Sequence, residues 1–165
     1  MTVIRRALAE DAAAVVALMD EAATWLAGTG TTTWRPGQVD EARVLGWMRT
    51  GRVYVAEVGT QVVGTVRVSW DDVPIWGARP PEAGYVHSLV VARSAAGQSE
   101  GHRLLQHAEV VVGRSGRPLV RLDHVAGNPR LEQYYTDAGY AVVGTQDVDG
   151  GDRVLLREKR IGPVS

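Results

Sequence analysis

Residues 85–140 constrain this chain more than any other stretch. A β-rich run at 85–91 passes through a glycine-containing loop, 93–101, directly into a helical pattern carrying Leu104, Leu105, Ala108, Val111 and Val112 on one side. A helix entered through such a turn presents free backbone N–H groups and a partial positive charge at its N-terminus. Both suit the pyrophosphate of a nucleotide-like donor. A second β-rich run, 119–125, leads to Asn128-Pro129, a short helix over 129–138, and Gly139-Tyr140.

The flanks extend this pattern. Residues 2–7 read as a first strand. Val15, Leu18, Met19, Ala22, Trp25 and Leu26 recur at helical offsets after Asp11 and stop at Gly28-Thr29-Gly30. Asp40 opens a second helix with Val44, Leu45, Trp47 and Met48. The period then changes: residues 53–58 and 62–68 surround Gly59-Thr60 as a hairpin. The proline-rich segment 71–81 reads as a loop, and 140–143 with 154–156 as a closing hairpin around Asp149-Gly150-Gly151. The order β-α-α-β-β-β-α-β-α-β-β predicts an α/β (α+β) fold, a mixed sheet with helices on both faces. With 165 residues and 45% hydrophobic content, a single domain over 1–165 is expected.

Composition removes several chemistries. There is no cysteine, which excludes disulfides, thiol nucleophiles and thiolate metal sites. His87, His102, His107 and His124 show no paired ligand spacing, so no metal is expected. A net charge of -1 advertises no nucleic-acid surface. Thr2-Val3-Ile4-Arg5-Arg6 lacks the apolar core of a signal peptide, and no apolar run approaches the roughly 20 residues of a membrane span. A cytoplasmic location is expected. With Lys159 the sole lysine, the composition is that of a GC-rich bacterial genome.

Leu122-Asp123-His124 through Asn128-Pro129-x-Leu131-x-x-x-Tyr135-x-x-x-Gly139-Tyr140, together with the order of elements, resembles the Gcn5-related N-acetyltransferase (GNAT) family over essentially the whole chain. The resemblance implies a mostly antiparallel sheet and direct transfer of an acyl group, usually acetyl, from acyl-CoA to an amine of a small molecule or peptide. It implies that Leu89, Val90 and Val91 pair their backbone with the pantetheine arm beside a bulge. It also implies that Asn128 contacts that arm and that Tyr135 protonates the leaving thiolate. The chemistry is consistent: a phenol with a pKa of about 10 can protonate a thiolate whose conjugate acid lies near 8.5. The other reading of Tyr135 is an aromatic covering the core, with Tyr134 facing solvent.

The donor loop departs from the family pattern. Gly97, Gln98, Ser99, Gly101 and His102 occupy the pyrophosphate-binding positions. Ala96, however, replaces a Gln or Arg, Ser99 a glycine, and Glu100 an aliphatic residue. A serine N-cap would compete for the helix amides, and a carboxylate would repel phosphate. Aminoacyl-tRNA as an alternative donor, and a non-catalytic ligand-binding domain, are therefore carried beside acyl-CoA. On the acceptor side, Trp34, Trp76 and Tyr85 are candidates for substrate contact, against a core role for each. His87 shares a strand face with Leu89 and Val91 by alternation and is read as a base or as a structural histidine. Asp71, Asp72 and Glu82 are loop acids able to hold a cationic acceptor or simply solvated. Arg114, Arg117, Arg121 and residues 157–160 read as solvent-facing charge. Among partners no membrane is expected, and a homodimer is left open.

Overall fold

The computed structural model describes residues 1–29 and 34–162. Among these residues seven strands, β1 (Thr2–Arg6), β2 (Arg52–Val58), β3 (Gln61–Ser69), β4 (Ala83–Val91), β5 (Leu119–Val125), β6 (Ala141–Asp147) and β7 (Arg153–Arg160), hydrogen-bond in the order β1-β2-β3-β4-β5-β7-β6. Of the registered pairs only β4–β5 is parallel, so the sheet is mixed and mostly antiparallel. The helices are α1 (Ala12–Ala27), α2 (Glu41–Thr50), α3 (Val73–Trp76), α4 (Glu100–Arg114) and α5 (Pro129–Asp137). The chain packs as two compact units. One comprises residues 1–68 and 88–108, the other 69–87 and 109–165.

In the first unit, α1 buries Val15, Leu18 and Met19 of the predicted stripe together with Ala12 and Ala23, whereas Ala22 and Leu26 are half-buried and Trp25 is exposed. Asp40 caps α2, accepting from the Arg43 N–H at 2.8 Å. The β2–β3 hairpin turns at Gly59-Thr60, with Val58 opposite Gln61, and shifts register between Ala56 and Glu57. Gly64 lets α4 approach β3: a Cβ there would lie 2.8 Å from Leu104 Cδ1.

In the second unit, β5 and β7 pair along their whole length, from Leu119↔Arg160 to Val125↔Val154. Cross-strand pairing carries β6 and β7 well beyond the predicted 140–143 and 154–156. The segment predicted as loop contains one helical turn, α3. Pro74 presets its φ, and the Asp72 carbonyl accepts from the Ile75 and Trp76 amides. Among the described residues no helix is long and apolar enough to cross a membrane.

Candidate active site

The donor elements predicted from the sequence lie in the first unit. β4 pairs with β5 only over Ala83–Tyr85, and Ser88 then takes a left-handed φ of 53°. That residue interrupts the two-residue alternation of the strand, so His87 cannot be assigned to the face of Leu89 and Val91 by counting, which corrects the sequence argument. Val90 is buried, while Leu89 and Val91 are half-buried.

The loop before α4 differs from its expected form in two ways. Ser99 does not act as a side-chain cap. It has φ 64°, its carbonyl accepts the first helical bond from the Arg103 N–H at 3.1 Å, and its exposed hydroxyl bonds nothing among the described residues. Glu100 does not face the loop either. Its side chain is only 5% exposed, and Oε1 accepts from the Thr2 hydroxyl of β1 at 2.6 Å and from Arg103 Nη1 at 3.3 Å. The family's aliphatic residue is replaced by an acid that keeps the inward direction. The amides of Glu100, Gly101 and His102 have no acceptor among the described residues, which leaves them for an anion. Gly97 (φ 80°) and Gln98 complete an exposed loop, and His102 is exposed beside it.

The acid–base groups lie in the second unit. Asp72, His87 and Asp123 each bring one ligand atom to within 4.8 Å of the others. The Ser69 hydroxyl gives its proton to the Asp71 carbonyl at 2.8 Å, so toward His87 Nε2, 2.9 Å away, it is the acceptor. In that arrangement His87 Nε2 is the donor. Burial, with the nearby charge of Asp72, pushes Asp123 up to about 6. The three groups could also hold a cation, a grouping the histidine spacing did not reveal. Asp123 and His124 are adjacent on β5 and so face opposite sides of the strand. The partners of Asp123 come from the α3 cap and β4, far away in the chain.

Tyr135, on the buried face of α5, is 8% exposed. Its ring stacks on His124 (centroids 5.1 Å, 14°) and meets Tyr134 (5.1 Å) and Tyr140 (6.1 Å) edge-on. Burial raises its pKa, with the charges of Tyr134 and Asp123 adding to the rise and Arg157 opposing it. The Tyr135 hydroxyl forms no hydrogen bond among the described residues. Tyr134 is half-buried and its hydroxyl is enclosed without a hydrogen-bond partner among the described residues, contrary to the solvent-facing expectation. Asn128 caps α5: Oδ1 accepts from the Leu131 N–H at 3.2 Å, leaving the side-chain NH₂ as a donor.

Other expectations are corrected. Trp76 (5% exposed) and Tyr85 (2%) belong to a core cluster with Ala83, Leu119, Val154 and Leu156, so neither ring offers a free face to an acceptor. Trp34 is half-buried, in keeping with either of its roles. Arg121 and Arg157 are buried rather than solvent-facing. Arg121 binds Glu158 (2.8 Å), Glu82 (3.2 Å) and the Tyr85 hydroxyl (3.0 Å), which commits Glu82 to a structural ion pair.

Comparisons with known proteins bear on the family and the fold. A model of the acetyltransferase (GNAT) family matches residues 17–140. The uncharacterised N-acetyltransferase YesJ of Bacillus subtilis is 32% identical over 147 residues, covering 84% of this chain and 81% of its own length. The PaiA N-acetyltransferase of Thermoplasma acidophilum, solved in complex with coenzyme A, superposes with a TM-score of 0.78 at 17% identity, over 98% of this chain and 99% of that one. YncA of Salmonella typhimurium, a putative acetyltransferase solved with its cofactor acetyl-CoA, gives 0.76 at 17% identity, over 99% and 96%. The chain belongs to the acetyltransferase (GNAT) family and is an acyltransferase.

Proposed function

We propose that the chain transfers an acetyl group from acetyl-CoA directly to the amine of a small molecule or peptide. The observation that carries this reading is the convergence of Asp72, His87 and Asp123 within 4.8 Å, in the unit that also holds the buried phenol of Tyr135. Acyl transfer to an amine needs a base near neutrality and an acid for the leaving thiolate. The donor reading is supported by the first-turn amides of α4 and by the stretch of β4 beyond Tyr85, which has no registered pairing with β5. The aminoacyl-tRNA alternative loses its motive, because Ser99 and Glu100 do not occupy the amides a phosphate would use. A cytoplasmic site of action goes with an acetyl-CoA donor.

Asp72 and Asp123 attract the acceptor as its ammonium ion. Asp123 or His87 takes one proton, and the neutral amine attacks the thioester carbonyl. The tetrahedral intermediate expels the CoA thiolate, which takes the Tyr135 proton. The second proton lost by the amine nitrogen restores the phenol. The products are the amide, free CoA and one proton. Trp34 is a candidate wall for the acceptor, and the Asn128 NH₂ a donor to the pantetheine carbonyls.

Thiol release from acetyl-CoA across a panel of amines, with calorimetry of acetyl-CoA binding, tests the proposal. Tyr135→Phe should keep donor affinity while lowering kcat by about 10² to 10⁴. Absence of both binding and thiol release would end the acetyl-CoA reading. An undiminished Tyr135→Phe would remove Tyr135 from the mechanism.

A further inference from the structure

Among the described residues, Arg5 is half-buried and Arg121 and Arg157 are buried, and the first two are neutralised by carboxylates. Arg5 forks onto Asp11 (2.7 and 3.0 Å) and Glu57 (2.6 and 2.9 Å), and Arg121 reaches Glu158 and Glu82. Arg157, on β7 and 3% exposed, has no carboxylate partner among the described residues. Its Nε donates to His124 Nε2 at 2.7 Å, and its Nη1 to Thr136 Oγ1 (3.1 Å) and the Tyr140 carbonyl (2.8 Å). Nη2 donates to the Glu132 carbonyl at 3.1 Å. Every acceptor is neutral. A buried cation lacking a counter-ion is costly in the resting protein, and it favours any state in which negative charge appears nearby.

These bonds all surround one residue. Glu132 and Thr136 flank Tyr135 on α5, and Tyr140 meets its ring edge-on. His124 accepts at Nε2, so its proton sits on Nδ1, which donates to the Val125 carbonyl at 3.1 Å. Burial lowers its pKa and the charge of Arg157 adds to that, outweighing the opposing effects of the Val125 hydrogen bond and the charge of Glu132. That ring lies flat against Tyr135.

We infer that Arg157 is a positioning residue for the leaving-group acid: through His124 and the last turn of α5 it fixes the ring of Tyr135, and it supplies the buried positive charge that the phenolate left after proton transfer requires. The inference rests on Tyr135 being the acid. Arg157 touches neither substrate nor the reacting atoms, so its effect must pass through the phenol.

The test is a double-mutant cycle on kcat with acetyl-CoA, with the KM of both substrates recorded. Arg157→Lys keeps the charge but not the four-way fork. His124→Gln removes the stacked ring and perturbs only one of the four bonds. Each should lower kcat about tenfold or more, with KM for acetyl-CoA changed less than about twofold. In the Tyr135→Phe background neither should cause further loss, because the group they serve is gone. Losses that multiply in that background, or single variants with unchanged kcat, would overturn the inference. If Arg157→Lys fails to fold, the His124→Gln arm decides alone. A fully active Tyr135→Phe would instead bring down the assignment of the acid, a separate and recognisable failure.

Discussion

Replacing Glu100 by glutamine tests how the donor loop works despite its unusual sequence. The change removes a negative charge at the N-terminus of α4 and keeps an oxygen to accept the 2.6 Å bond from Thr2. The carboxylate is turned inward, so its effect on a bound phosphate is one of charge at a distance rather than contact. At a separation of about 8 Å and an effective dielectric of about 40, the repulsion removed is ~1 kcal/mol. That corresponds to roughly fivefold in Kd. Two local effects oppose each other in stability. The helix dipole loses a favourable charge worth about 0.3–1 kcal/mol, while the position now held by Oε2, buried without a partner, no longer buries half of an ionised group. The melting temperature should therefore move little. Calorimetry with acetyl-CoA at low and high salt is the assay. The variant should bind about fivefold tighter at low salt, and the gain should shrink as salt rises. Adding Ser99→Gly should bring no further affinity, since the serine hydroxyl occupies no amide. Equal or weaker binding by Glu100→Gln would refute the reasoning, because the buried charge would then not reach the donor.

Three further outcomes are expected. Asp123 is held near 6, above its unfolded value of about 3.9, and must be ionised to act as base, so kcat/KM should rise with pH through about 6 and Asp123→Asn should abolish that limb. The folded state binds the extra proton between pH 4 and 6, so Asp123 costs stability above 6. Asp123→Asn should then be more stable than the parent at pH 7.5, by at most about 3 kcal/mol and with a higher melting point, and about equally stable at pH 4; a lower melting point at pH 7.5 would contradict the shift. Trp34→Ala should raise the acceptor KM severalfold with the melting temperature nearly unchanged, whereas a large drop in melting temperature would assign the half-buried indole to packing.

Much of the fold was legible from local periodicity. The apolar stripe of α1, the Asp40 cap of α2, the turn at Gly59-Thr60 and the Asn128-Pro129 start of α5 are each written within a few residues. The place of Tyr135 on a helix after a strand was equally visible, and with it the family. A helical or strand period reports only how one element divides its own faces, and it carries no information about which other elements meet those faces. So the inward turn of Glu100 onto Thr2, 98 residues away, could not be read, nor could the left-handed Ser88 that breaks the alternation around His87. The burial of Trp76 and Tyr85 in one cluster followed from the single helical turn of α3, hidden in a segment that reads as loop. The gathering of Asp72, His87 and Asp123, and the seat of Arg157 on His124, depend on long-range pairing and burial. Strand register and side-chain burial decide both, because they bring charged groups into low-dielectric surroundings that shift Asp123 and leave Arg157 with no carboxylate partner among the described residues.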